Sequence, residues 1–253
     1  MRYIVIAMLL CALAAAPAPA AAGIFSPPWA GQAGTTHEEW GFSTNANPPA
    51  AEAVSNAYGA PSASIVLGPY NSGWYSGHFV FGSMQGFWDL GSAGTVTCQI
   101  PNRPLPSGYT VVWVQTTYFV DISAAPTVTV TGGTALTGIP QPVMVAEAMS
   151  GAWYTAVSKW RIAPSVPSVT VTITSSAAWG SLVDNVEIDT AMPIPGDANL
   201  DCVVNILDLL FIRSKLGQNP ASGDNWSADA NGDGRINILD LIVTRSNLTK
   251  KCQ

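Results

Sequence analysis

Between about Thr95 and Thr190 apolar and polar residues alternate in short runs: TVTCQI, YTVVWVQTTYFV, TVTVTGG, VMVAEAM, WYTAVSKWRI, SVTVTITS and LVDNVEIDT. Clusters of Pro, Gly, Ser and Asn separate the runs, the pattern of strands joined by turns. SVTVTITS alternates strictly, as a strand does when one face is buried and the other wet. SASIVLG and SGHFVFG, further upstream, have the same character. About seven to nine short strands without a helical period predict a mainly β body, an antiparallel sandwich of the jelly-roll kind. Residues 24–60 show no clear period. FSPPWAGQAGTTHEEW and NANPPAAEAV read as a loop-rich lead-in, with one candidate strand around Glu39–Ser43.

After TAMPIPG the period changes from two to 3.6, because ILDLLFIRSKL and ILDLIVTRSNL place their leucines at helical spacing. Pro193 and Pro195 restrict the backbone just before that change and predict a short, stiff spacer. At the other end Arg2, an apolar run from Tyr3 to Ala16 and the small residues of APAPAAAG read as a secretory signal peptide. That run is too short to span a bilayer core of roughly 30 Å. The expected organisation is a signal peptide (1–22), a β-sandwich (23–190), a proline linker (191–195) and a small helical domain (196–253). A unit of that size has a marginal hydrophobic core, so metal or disulfide help is expected.

Charged residues make up only 10% of the chain and its net charge is −6, with no basic patch to suit nucleic acid. Three cysteines follow the leader, Cys98, Cys202 and Cys252. An exported protein can oxidise them, and the odd number leaves one over.

The helical unit is a duplication. GDANLDCVVNILDLLFIRSKLG starts at Gly196, and ADANGDGRINILDLIVTRSNL repeats most of it. Calcium takes 6–8 oxygen ligands, which a twelve-residue loop can supply from positions 1, 3, 5, 7, 9 and 12, using a backbone carbonyl at 7. The first copy offers Asp197, Asn199, Asp201, the Val203 carbonyl, Asn205 and Asp208. The second offers Asp229, Asn231, Asp233, the Arg235 carbonyl, Asn237 and Asp240. Asx-rich turns capping two helices would use the same residue types. Meeting the ligand spacing twice favours two calcium ions, since the crowded carboxylates repel one another without a cation.

Paired loop-then-helix units with Asp at position 12, about 32 residues apart and with no helix before either loop, resemble the type I dockerin domain. The resemblance covers Gly196 to about Cys252. It implies a module that folds around two calcium ions and docks into a cohesin domain on another protein, attaching secreted proteins to a polysaccharide-degrading scaffold. It also implies that positions 10 and 11 contact the cohesin. Here these are Ile206-Leu207 and Ile238-Leu239, with Ser214 and Ser246 further along each helix. Many dockerins carry a polar pair there, and the competing reading is that all four apolar residues fill the small core. Identical pairs imply docking in either of two orientations related by a pseudo-twofold. The resemblance further implies that the two ends of the module meet. A Cys202–Cys252 disulfide would then clasp them, closing a loop whose constraint is worth about 4 kcal/mol. Position 6, where Cys202 stands, usually takes a left-handed conformation costing a non-glycine residue roughly 1–2 kcal/mol.

For the body, LVDNVEIDT resembles the closing strand of galactose-binding-like jelly rolls, where an Asp-Asn-Val step fixes the last turn, so Asp184 and Asn185 are assigned to structure. The segment PYNSGWYSGHFVFGSMQGFWDLG carries Tyr70, Trp74 and Tyr75, flat rings of the kind sugars stack on. The alternative is that such rings fill the inter-sheet core. The motifs E-x-D-x-x-E and G-x-S-x-G are absent, His78 has no recognisable partner, and His37-Glu38-Glu39-Trp40 reads as a polar loop cluster. The expectation is a secreted attachment protein whose sandwich is non-catalytic, with carbohydrate as its candidate ligand. The alternatives are a glycoside hydrolase acting from the sandwich and a purely structural component of an extracellular assembly.

Overall fold

The computed structural model describes residues 24–103, 108–121, 124–223 and 225–251. The expected signal peptide (1–22) and Cys252 lie outside the described residues. In chain order the strands are β1 (Thr35–Trp40), β2 (Ala53–Ser55), β3 (Ser62–Val66), β4 (Gly73–Tyr75), β5 (Phe87–Asp89), β6 (Thr95–Pro101) and β7 (Thr110–Val120). They continue with β8 (Thr127–Val130), β9 (Gly133–Ala135), β10 (Val143–Glu147), β11 (Ala152–Ile162), β12 (Ser168–Thr174) and β13 (Leu182–Ala191). Two helices follow, α1 (Ile206–Lys215) and α2 (Ile238–Ser246).

The strands form two antiparallel sheets, as the alternation predicts. The larger runs β10-β11-β7-β13-β1-β2, with β9 also on β11 and the pair β5-β4 also on β13; the smaller runs β3-β6-β12-β8. Between them Val112, Val114, Val186 and Ile188 meet Val96, Cys98, Ile100, Val169, Val171 and Ile173 in one core. β7 is buried over nearly its whole length. Its outer face is covered as well, by one cluster around Phe87, Phe119 and Trp153 and another around Trp29, Val111, Trp113 and Trp226. No described helix is long and apolar enough to cross a membrane.

Two local expectations are corrected. The lead-in contains β1, which runs Thr35–Trp40 rather than Glu39–Ser43 and lies inside the larger sheet between β13 and β2. His37-Glu38-Glu39-Trp40 is therefore strand and not loop, with Glu38 and Trp40 fully buried. The strand escapes a hydrophobic-pattern reading because its inward positions are partly polar and satisfied inside. Glu38 accepts from Asn56 Nδ2 at 2.7 Å and from the Thr36 hydroxyl at 3.2 Å. In SGHFVFG, Phe79–Phe81 form a single 3-10 turn, started by His78 Nδ1 accepting from Val80 N.

The helical unit is not held off by its spacer. Met192 is buried, and the Asp197 amide turns back on the Ile194 carbonyl at 2.8 Å. Trp226, in the segment between the two repeats, inserts into the sandwich's outer cluster. Its ring lies edge-on to Trp29 at 5.9 Å and to Tyr109 at 6.1 Å. Arg161 of β11 pairs with Asp229 at 2.5 Å while its guanidinium sits over the Tyr109 ring at 4.3 Å. The Thr137 amide and hydroxyl both donate to the Ala221 carbonyl, at 3.1 and 2.6 Å.

Candidate metal centres and docking face

The two repeats fold alike down to their dihedral angles. Asn205 starts α1 at φ −145° and ψ −167°, and Asn237 starts α2 at φ −146° and ψ −168°. Each asparagine Oδ1 accepts the amide two residues on, Leu207 at 2.7 Å and Leu239 at 2.8 Å. Asp208 and Asp240 return the bond, accepting from the Asn205 and Asn237 amides at 2.8 Å each. This reciprocal capping satisfies orphan amides at both helix starts. Helices of this length are marginal alone, so the loops that precede them set where they begin.

The same position-12 aspartates reach back across the loops. Asp208 Oδ1 accepts from the Ala198 and Asn199 amides at 2.8 and 3.1 Å. Asp240 Oδ1 accepts from the Asn231 amide at 3.1 Å. Position 1 is held equally firmly. Asp197 accepts from Asp201 and Cys202, and Asp229 from Gly232, Asp233 and Gly234. Asp197, Asp208, Asp229 and Asp240 are all buried. In the first loop carboxylate oxygens of Asp197, Asp201 and Asp208 come within 4.8 Å of one another. Burial, and then the neighbouring Asp208 and Asp201, push the Asp197 carboxyl up to about 6. Burial likewise raises Asp240. A hard, oxygen-preferring dication fits this donor set, because it supplies the positive charge that three converging carboxylates lack.

Comparison with known proteins bears on this unit. Residues 195–248 match the family model of the dockerin type I domain. The C-terminal unit is a type I dockerin. Dockerins bind calcium and are received by cohesins, and proteins that carry them are generally extracellular. No curated protein matches the chain. Among solved structures, the CBM35 from Cellvibrio japonicus Abf62 aligns at 14% identity over 50% of this chain and 92% of its own, with a TM-score of 0.29.

In the dockerin the predicted position-9 residues, Asn205 and Asn237, commit their side-chain oxygens to the helix caps. The Asn205 amide group donates to the Val203 carbonyl at 3.1 Å. Asn199 and Asn231 instead brace position 5 by donating to Asp201 and Asp233 at 2.9 and 3.0 Å. The Arg235 amide donates to Asp233 at 2.9 Å, as the Val203 amide does to Asp201.

Ile206 and Ile238 are each 62% exposed, and Leu207 and Leu239 are 55% and 49% exposed. Beside them Leu210 and Ile242, one turn further along each helix, are 51% and 56% exposed. The dockerin core is built without any of these six, from Ala198, Ile212, Ala228, Ala230 and Ile236. The alanines at 198, 228 and 230, from the loops and the turn between the repeats, fill that core with Ile212 and Ile236, and the bulky residues are left outside. Ser214 and Ser246 are exposed too, their hydroxyls donating to the Phe211 and Val243 carbonyls at 2.6 and 2.8 Å. Leu210 and Ile242 were open to sequence reasoning, since they share a helix face with 206–207 and 238–239. Trp226 and Arg161 were not, because nothing local marks them.

Cys202 holds a left-handed φ of 64°, close to the 82° of Gly234 at the equivalent position. Cys98 is a free thiol buried in the inter-sheet core. Of the three aromatic candidates Tyr70 is 95% exposed. Trp74 packs against the inter-sheet core and donates its Nε1–H to the Phe42 carbonyl at 2.8 Å. Tyr75 stacks on Phe87 at 5.1 Å within an aromatic cluster. Trp179, not singled out by sequence, is 70% exposed. Asn185 donates to Glu39 at 2.7 Å, tying β13 to β1.

Proposed function

We propose that this chain is an exported attachment protein. Its dockerin, residues 196–253, binds one calcium ion in each loop and presents Ile206, Leu207, Leu210, Ile238, Leu239 and Ile242 to a cohesin on a scaffold or cell-surface protein. The observation that carries the reading is the symmetric exposure of those six apolar side chains on a module whose core closes without them. Isolated exposed leucines mean little, but a contiguous apolar face repeated on two neighbouring helices marks an interface. The ligands are the twelve residues at loop positions 1, 3, 5, 7, 9 and 12, with Asn205 and Asn237 reaching the ion through water, as position 9 often does. Ser214 and Ser246 would extend the contact. The test is cohesin binding measured by calorimetry with calcium and then with chelator. Ile206→Asp with Ile238→Asp should abolish binding while leaving calcium uptake intact; full binding by that variant would refute the assigned face.

The partner of Cys202 in this reading is Cys252. Thr249 and Val204 are joined by a 2.8 Å amide-to-carbonyl bond, and Val203 bridges Lys251, bringing the chain end beside the first loop. Peptide mapping without reduction should recover Cys202 and Cys252 linked.

The sandwich is read as non-catalytic. The cavity lined by Glu39, Asp184, Asn185 and Glu187 holds about 180 Å3, below the roughly 300–1,000 Å3 of ordinary ligand pockets. Exposed Tyr70 and Trp179 favour a polysaccharide surface as its ligand. The loops that carry them both touch the Gly91–Ser92 turn, Ser92 N donating to the Pro69 carbonyl at 2.8 Å and Ser92 Oγ to the Ala177 carbonyl at 2.6 Å. A glycan panel decides it: retention lost in Tyr70→Ala supports the reading, and sugar release would replace it with hydrolysis.

A further inference from the structure

β1 brings together, with β13, three side chains that the proposed docking face does not use. In the β1–β13 ladder His37 stands directly opposite Asp189, and Glu39 opposite Glu187. All four alternate onto the outer face of the larger sheet. His37 Nδ1 lies 3.0 Å from Asp189 Oδ1 and 3.8 Å from Glu187 Oε1. One potential ligand atom from each of the three residues falls within 4.8 Å of the others. Asp189 is buried, and its second oxygen, Oδ2, has no hydrogen-bond partner among the described residues. A cavity of about 280 Å3, lined in part by Gln32, Thr35, Ser55, His37 and Asp189, opens onto two of the three, while Glu187 lines the neighbouring cavity with Glu39 and Asp184.

We propose that His37, Glu187 and Asp189 bind a divalent late first-row metal ion of the zinc class, at a site separate from the dockerin loops. Zinc holds nitrogen and carboxylate oxygen at roughly 2.0–2.2 Å, so two ligands of one ion lie at most about 4.2–4.4 Å apart. Both separations from His37 Nδ1 meet that limit without movement of the strands. Asp189 Oδ2 is buried with no hydrogen bond to lose, and the 3.0 Å bond between Asp189 Oδ1 and His37 Nδ1 would be exchanged for ligation of the ion. The cavity supplies an entry path and room for the water that completes four-coordination. Imidazole with two carboxylates selects against calcium, which takes oxygen alone, just as the all-oxygen dockerin loops select against zinc. The competing arrangement, a protonated His37 shared by two carboxylates, has the same geometry but takes up no metal.

The experiment uses the full chain without a polyhistidine tag, in calcium sufficient to fill the dockerin. Zinc is titrated by calorimetry, and cobalt(II) by its visible absorption as a report on nitrogen ligation. One further equivalent of zinc and a cobalt spectrum showing an imidazole ligand are expected. His37→Gln and Glu187→Gln should each weaken uptake by at least about tenfold, with cohesin binding as the control that the variants fold. No uptake beyond the calcium-filled loops overturns the proposal, as does uptake equal in wild type and both variants.

Discussion

Trp226 tests whether the dockerin and the sandwich are one folding unit. The residue is 3% exposed, and its neighbours Trp29 and Tyr109 belong to the sandwich side of the shared cluster. A buried tryptophan removes about 200 Å2 from water, which at about 25 cal/mol per Å2 is worth roughly 5 kcal/mol. Partial collapse around the cavity brings the expected cost of Trp226→Ala to about 3–5 kcal/mol. For a domain of this size that lowers the melting temperature by roughly 6–20 °C. More telling is the shape of the transition. In calorimetry with calcium present, the wild type should melt in one step, and Trp226→Ala in two, the lower one sensitive to chelator. Trp226→Phe is the control. It keeps ring contacts and removes an indole N–H that has no acceptor among the described residues, so its loss should be much smaller. Two independent transitions in the wild type, or an alanine variant melting like it, would refute a shared core.

Other outcomes are as specific. Asp208→Ala with Asp240→Ala removes one proposed calcium ligand and one helix cap from each repeat, and the α1 and α2 circular dichroism should be lost even in excess calcium. Glu38 predicts a pH dependence. Burial raises its carboxyl from 4.5 to about 7. The folded state therefore holds the proton more tightly than the unfolded chain, and stability is lost as pH rises from about 4.5 through 7. Above that window the cost is about 3 kcal/mol. Glu38→Gln, with its carbonyl facing Asn56 and its amide facing the Thr36 hydroxyl, should flatten this slope and gain stability in urea melts at pH 8 but not at pH 4. An unchanged pH slope would sink that account. Cys202→Ser should lower the dockerin's stability by about 4 kcal/mol if it removes the long-loop clasp, read in denaturant melts with calcium held fixed.

The parts of this molecule legible in the sequence are those whose geometry is local. The dockerin loops bring their acidic side chains together over twelve residues, so the cluster of Asp197, Asp201 and Asp208 can be read by counting. Strands such as Ser168–Thr174 declare themselves by alternation, because one face packs and the other is wet. β1 did not, since Glu38 and Thr36 point inward and are satisfied there by each other and by Asn56, a partner eighteen residues away. Nor did the seat of the dockerin, which depends on Trp226 finding rings from Trp29 and Tyr109. Trp74 and Tyr75 sit in a glycine-rich stretch like exposed Tyr70, yet cross-strand pairing with β5 turns them toward packed neighbours. Exposure in such a stretch is decided by the sheet it joins and not by its composition.

The firm seat of the dockerin combines with its doubled Ile-Leu faces to give the molecule a handed geometry. If the proposed docking takes place either way round, a plug that grips its cargo without a hinge would carry the sandwich to one flank of the scaffold or, after a half-turn, to the opposite flank. One gene product would then populate both sides of a crowded array, each copy facing outward at a fixed angle, without needing a long tether to find room.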